Sequence, residues 1–180
     1  MRTDWLSDDV MQNILAALTP QNRLAVTVSL VTGMRIGDAL RIRLVDAQRG
    51  RFTYTEEKTF KHRTVRLPGK LADALIANSG KVWCFEHRID ARKHRTRQAV
   101  FKDIKRAAKA FRVRLNVAPH SARKIYAVKE YHKDMNIRRV KELLNHSSEA
   151  VTMIYALADE ITARGQRGRC RCQGREARGE

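Results

Sequence analysis

Ala118-Pro119-His120-Ser121-Ala122-Arg123, then Leu144-Asn145-His146, then Tyr155, set the frame for the rest of the chain. His120 and Arg123 are three residues apart, Arg123 and His146 are 23 apart, and His146 and Tyr155 are nine apart. Pro119 suits a first helical position, where its missing N–H costs nothing. Ile125, Val128 and Tyr131 or His132 follow at helical spacing, and Ile137, Val140 and Leu144 mark a further helix. Asn145-His146-Ser147-Ser148-Glu149 reads as a turn and a new N-cap. Val151, Ile154 and Ala158 then continue helically, with Tyr155 beside that stripe. Far upstream lies a second piece, Thr32-Gly33-Met34-Arg35-Ile36-Gly37-Asp38. Two arginines, two histidines and a tyrosine can together hold a phosphodiester and let a phenolic oxygen attack it.

The pattern outside this stretch is also mostly helical. Leu6-Ser7-Asp8-Asp9 predicts a helix start, with Ser7 as N-cap, the two acids at the positive end of the dipole and Leu6 stapled to Met11. Val10, Ile14 and Leu18 mark its inward face. A second helix starts at Thr19-Pro20, turns Leu24, Val28 and Val31 inward, and ends at Gly33. A short helix beginning near Arg35 carries Ile36, Ala39 and Leu40. Arg51–Thr55 and Arg63–Leu67 alternate at period two and read as paired strands. The linker Glu56-Glu57-Lys58-Thr59-Phe60-Lys61 lacks Gly and Asn-Gly, which predicts a wide, mobile turn. Leu71 to Ala77 reads as a helix and Val82-Trp83-Cys84-Phe85 as a short strand. From Glu86 to Arg114, 11 Lys or Arg stand against three acids. Within that run Val100, Ile104, Ala108 and Phe111 keep helical spacing. The expected fold is therefore mainly α with a small antiparallel β-sheet, an α+β domain.

The 180 residues make one domain with room for a small appendage, and a hydrophobic fraction of 43% supports a packed core. Thirty-seven Lys or Arg against 19 acids leave a formal net charge of +18, which favours a polyanionic partner. Nucleic acid comes first and an acidic membrane surface second. No run of 18 apolar residues offers a membrane span, and no apolar signal core follows Met1, so no membrane partner is expected. Cys84, Cys170 and Cys172 make no disulfide framework, and read as reduced thiols. Residues 163–180 are rich in Arg and Gly without an apolar period and read as a tail.

The chain resembles the catalytic domain of the tyrosine recombinases, the phage integrase family, from about Leu6 to Ala158. Arg35 in Thr-Gly-Met-Arg-Ile-Gly-Asp-Ala-Leu is similar to the family's first arginine, with Asp38 where an acidic residue usually follows. Lys58 lies in a strand-to-strand turn, as the family's lysine does. His120-x-x-Arg123 resembles the central box, and Leu143-Leu144-Asn145-His146-Ser147-Ser148 the Leu-Gly-His-Ser box. Tyr155 falls where the nucleophile belongs. Asn145 replaces the usual glycine, and Asn tolerates the left-handed conformation. The resemblance implies a catalytic domain over residues 1–162, with the family's usual N-terminal clamp domain absent from this chain.

It also implies roles. Tyr155 attacks phosphorus to make a 3′-phosphotyrosyl link and free a 5′-hydroxyl. Arg35 and Arg123 grip the non-bridging oxygens with planar, permanently charged forks, and Asp38 orients Arg35. Lys58 protonates the leaving 5′-oxygen, although Lys61 is eligible by spacing. His120 manages the nucleophile's proton, and His146 donates to a phosphate oxygen. Tyr126 and Tyr131 are chemically competent rivals of Tyr155 that read as packing residues. Arg97, Lys102, Lys105, Arg106 and Lys109, with Lys61, are candidate DNA contacts. No cofactor, metal or ATP is expected, since the cations supply the positive field and no carboxylate cluster stands out to hold an ion.

The implied activity is site-specific recombination for a phage or mobile element. Double-stranded DNA is the partner, and the chain is a free monomer that becomes a homotetramer on synapsed sites in a bacterial host cytoplasm. Leu157 to Thr162 and the tail are the expected contacts to a neighbour. A topoisomerase-like strand relaxer and a non-enzymatic DNA-binding regulator stay open beside it. An RNA-binding protein fits the charge but lacks an aromatic-rich RNA-reading strand.

Overall fold

The computed structural model describes residues 6–144. Eight helices and one hairpin follow in the order α1 (Asp8–Ala17), α2 (Pro20–Thr32), α3 (Ile36–Leu40), α4 (Leu44–Arg49), β1 (Arg51–Thr55), β2 (His62–Arg66), α5 (Gly69–Ala77), α6 (Arg97–Ala110), α7 (Pro119–Asp134) and α8 (Ile137–Leu143). The α+β expectation holds, with a single two-stranded antiparallel sheet among the described residues. The expected helix around Tyr155 and the tail lie outside them.

α2 runs through the middle and packs against α7, α3, α5 and α6. Ala25, Val26 and Val28 are buried against the main core, which also takes Leu6, Ile14, Leu40, Leu75, Phe85, Val100, Ile104 and Ile125. Leu6 and Met11 are both buried, as a hydrophobic staple requires. The inward face of α1 is Met11, Ile14 and Leu15, with Val10 only partly covered. Val31 is a correction: it faces solvent, because Ser29 and Thr32 take the inward positions at the end of α2. Phe111 is half exposed, since α6 ends at Ala110.

The strands pair in the register Phe52↔Val65 and Thr55↔His62. Phe52 and Val65 point into the core, and Tyr54 tilts against Phe52. Leu67 is buried just beyond β2. Val82–Phe85 is not a strand. Trp83 makes one isolated bridge to Arg43, and Cys84 and Phe85 are buried beside it. α4 has no counterpart in the sequence reading; at six residues it buries only Ala47.

One polar knot pins α6 to the corner between α1 and α2. The Asp103 carboxylate accepts from the Thr19 N–H and hydroxyl and from the Asn22 amide. Arg106 donates to the same carboxylate and, at 2.5 Å, to the Ala17 carbonyl at the end of α1. Burial works against ionisation of Asp103, but these donors win and hold its pKa down at about 2.

Candidate active site

The C-terminal end of α2 builds the first part of the site. Gly33 adopts φ +66°, and a Cβ there would sit 2.4 Å from the Tyr126 ring. Only glycine satisfies both conditions. The Ser29 hydroxyl donates to the Met34 carbonyl, and the Met34 N–H donates to the Thr32 hydroxyl. Arg63 donates to the Thr32 and Gly33 carbonyls, which the helix itself leaves unpaired. This turn delivers Arg35 as the extended residue preceding α3.

α7 supplies the second part. Pro119 opens the helix, and the Ser121 hydroxyl accepts from the Ala118 N–H. His120 and Arg123 are one turn apart on it. Arg123 is 1% exposed, with Nη1 donating to Gly33 O at 2.6 Å and Nη2 to Leu144 O at 2.5 Å. Its Nε has no partner among the described residues. Five N–H donors serve this guanidinium, so two carbonyl bonds leave donors available. Burial, then the charges of Arg35 and Arg63, draw its pKa down to about 10, which still leaves it cationic at neutral pH.

The hairpin supplies the third part. The turn between β1 and β2 is wide, as expected, at six residues, and main-chain bonds close it. Glu56 N–H donates to Lys61 O, and Phe60 N–H donates to Glu56 O. Phe60 takes φ 54° to close it. Lys58 sits within this closed turn.

The three parts meet at a cleft of about 680 Å³ whose wall includes Arg35, Asp38, Lys58, Arg97, His120 and Arg123. Lys58 lines the cleft and Lys61 does not, which separates two residues that spacing left equivalent. Arg97 joins through α6, next to Phe101. Lys105 is tied to Asn116 and lies over the Phe101 ring. Arg106 is committed to Asp103 and Ala17, while Lys102 and Lys109 are exposed. His120 lines the cleft and is solvent-exposed there. Lost hydration and then the charges of Arg123, Lys124, Arg35 and Lys58 pull its pKa down to about 4. His146 and Tyr155 lie outside the described residues. Tyr126 is buried against Val140 and Leu144, and Tyr131 is partly buried beside them, as packing residues would be.

One site residue was not singled out from the sequence. Glu56 is fully buried, with Oε2 2.7 Å from Arg35 Nη1 and Oε1 3.9 Å from Arg123 Nη1. The Thr59 hydroxyl donates to Oε2 at 2.5 Å. Burial opposes its charge, but the Thr59 and Arg35 hydrogen bonds and the two guanidinium charges pull its pKa below the usual value. Asp38, also buried, goes the other way: desolvation raises its pKa against the Glu57 N–H bond, and the Glu56 charge adds to the rise. A signal existed. Phe52, Tyr54 and Glu56 share one parity of the β1 alternation, so the strand places a carboxylate at a core-facing position.

Comparisons with known proteins bear on the family and the fold. The family model described as "Phage integrase family" matches residues 4–160. The chain belongs to the phage integrase family. A tyrosine recombinase of Thermosipho africanus is 30% identical over 162 residues, covering 84% of this chain and 56% of that protein. The integrase of Escherichia phage P2 is 27% identical over 172 residues, covering 92% of this chain and 48% of its own length. The chain thus spans about half the length of these curated relatives. Among solved structures, the catalytic domain of bacteriophage HP1 integrase superposes with a TM-score of 0.66 at 23% identity, covering 87% of this chain and 89% of that one. The fold of this phage-integrase-family chain is that of a tyrosine recombinase catalytic domain. Among the described residues no helix is long and apolar enough to cross a membrane.

Proposed function

We propose that this chain is a site-specific DNA strand transferase that cuts and rejoins duplex DNA through a covalent tyrosine intermediate, for integration or excision of a phage or mobile element. The observation that carries the reading is the convergence of Arg35, Lys58, His120 and Arg123, from three separate parts of the chain, on one cleft. A phosphodiester in that cleft meets cations on several sides.

In the forward step the Tyr155 oxygen attacks phosphorus and loses its proton to the neutral His120. The new O–P bond forms as the P–O5′ bond breaks, and Lys58 gives its proton to the departing 5′-oxygen. Arg35 and Arg123, with His146, hold the non-bridging oxygens as charge grows on them. The reverse step is attack by a 5′-hydroxyl on the phosphotyrosine. One phosphodiester is exchanged for another, so the reading calls on neither ATP nor a metal. Solved relatives by fold include XerH recombinase bound to a palindromic difH substrate in a post-cleavage complex, and a lambda integrase dimer bound to a core site. These DNA-bound relatives support double-stranded DNA as partner here; the proposal adds an assembly of four copies on two synapsed duplexes. Residues 157–162 and the tail from 163 to 180 are proposed to reach a neighbouring copy, and the host cytoplasm is the proposed location.

The test is covalent trapping on a pool of nicked duplexes with a randomised centre, in which cleavage releases a short fragment and cannot reverse. The expected result is a denaturant-resistant protein–DNA band that vanishes in Tyr155→Phe. Absence of a band from the parent, with binding intact, overturns the reading. Joining of two separate duplexes distinguishes a recombinase from a strand relaxer.

A further inference from the structure

The cleft's two arginines share a buried partner that does not itself line the cleft. Glu56 has no solvent exposure, and the cleft wall comprises Arg35, Asp38, Glu57, Lys58 and Arg123 without it. Its carboxylate contacts the two arginines without lining the cleft. Oε2 meets Arg35 at 2.7 Å and the Thr59 hydroxyl at 2.5 Å, while Oε1 makes an ion pair with Arg123 at 3.9 Å and no hydrogen bond among the described residues. Its backbone closes the turn that carries Lys58, through Glu56 N–H to Lys61 O and Phe60 N–H to Glu56 O. One residue therefore joins the α2–α3 junction, α7 and the hairpin.

We infer that Glu56 is a positioning residue for phosphodiester cleavage, fixing the Arg35 and Arg123 guanidinium groups and the Lys58 turn in one mutual arrangement. The inference rests on the strand-transfer reading above. Two guanidinium groups repel each other, and a phosphate has not yet arrived to hold them together. A buried anion beside the pair holds them in the meantime and keeps their outer N–H groups aimed at the cleft. It is buried and does not line the cleft, so it acts through the arginines rather than on a substrate. Asp38, which the family resemblance places beside Arg35, does not duplicate this. Its Oδ1 accepts from the Glu57 N–H and its Oδ2 has no partner among the described residues.

The experiment compares the full chain with Glu56→Gln and Glu56→Asp. Gln keeps the shape and removes the charge, and Asp keeps the charge on a shorter arm. Two readouts are taken. The first, on free protein, is the ¹⁵N–¹H signals of the arginine Nε groups, assigned with Arg35→Lys and Arg123→Lys. The second is trapping and equilibrium binding on the nicked randomised duplex pool. In Glu56→Gln the Arg35 and Arg123 signals broaden or collapse toward those of surface arginines. Covalent product forms on the order of 10- to 100-fold more slowly, the range seen when a group that orients a ligand is lost. Duplex binding stays within about twofold, because exposed cations carry most of it. Glu56→Asp lies between parent and Gln in both readouts. If Glu56→Gln fails to fold, Glu56→Asp carries the same comparison. Unchanged arginine signals and cleavage in both variants overturn the inference, as does loss of binding and cleavage in equal measure. If the parent forms no covalent product, the functional reading fails instead. The arginine signals then decide alone whether Glu56 fixes the pair.

Discussion

His120 shows how one side chain's chemistry is set by its neighbours. A histidine in an unfolded chain titrates near 6.5. Here lost hydration, then Arg123, Lys124, Arg35 and Lys58, lower that to about 4. Between about pH 4 and 6.5 the unfolded chain therefore binds more protons at this position than the native one. Stability rises with pH through that window, and the contribution is lost as pH falls from 6.5 to 4. At neutral pH the ring is uncharged and able to accept the tyrosine's proton. The expected NMR titration of the His120 ring in free protein has its midpoint near 4, and Arg123→Gln moves it upward. A midpoint near 6.5 in the parent would show that the surrounding cations do not act on the ring. His120 and Arg123 were legible in the sequence as a pair because helical spacing puts residues three apart on one face. The downward shift was not legible, since Arg35 and Lys58 reach the ring only through the fold.

At the scale of elements, the end of α2 is the part with least freedom. Gly33 accepts a left-handed backbone, lets the Tyr126 ring lie against it, and offers its carbonyl to Arg63 and Arg123 together. Gly33→Ala adds left-handed strain and drives a methyl into the ring. The expected loss is about 2–4 kcal/mol, or roughly 5–15 °C in Tm for a domain of this size, read by thermal unfolding. Covalent product should fall with it even well below Tm, because Arg35 and Arg123 both hang on this turn. A fall in Tm of under a degree would mean that Tyr126 yields easily. The helix stop at Gly33 was readable from residue type alone. The six-residue α4 was missed because its single inward residue, Ala47, leaves no period to detect. Val82–Phe85 looked like a strand because it is apolar, yet it finds one bridge rather than a ladder. The hairpin turn is as wide as expected, with six residues between β1 and β2. Its closure comes from main-chain bonds and a left-handed Phe60, which composition does not announce.

For the whole molecule the net charge of +18 predicts strong dependence of DNA binding on salt. With about six phosphate contacts, affinity for a random-sequence duplex falls about 10³-fold between 50 and 200 mM salt. Arg97→Gln, at the cleft, should lessen the log–log slope by about 1. Arg106→Gln should leave the slope alone and lower Tm, because that guanidinium is bound to Asp103 and Ala17. A slope change in Arg106→Gln equal to that of Arg97→Gln would show that both reach DNA. Fluorescence anisotropy over a salt series measures both. Sequence alone could not sort these arginines, because charge and helical spacing are the same whether a side chain faces a cleft or a neighbouring helix end.

The amino-acid sequence by itself determined the mainly helical class, the paired strands, the glycine turn before Arg35 and, as candidates, the charged residues Arg35, Asp38, Lys58, Arg97, His120 and Arg123 at the cleft. Those features depend on local periods and on residue types whose backbone preferences are intrinsic. Only the tertiary structure decided that Lys58 rather than Lys61 faces the cleft, that Arg106 turns away, and that Glu56 contacts Arg35 and Arg123. A buried carboxylate has no local signature of its partners. Arg35 and Arg123 lie far from Glu56 in sequence and in opposite directions along the chain, and the packing of α7 and the hairpin around α2 brings the three charges together.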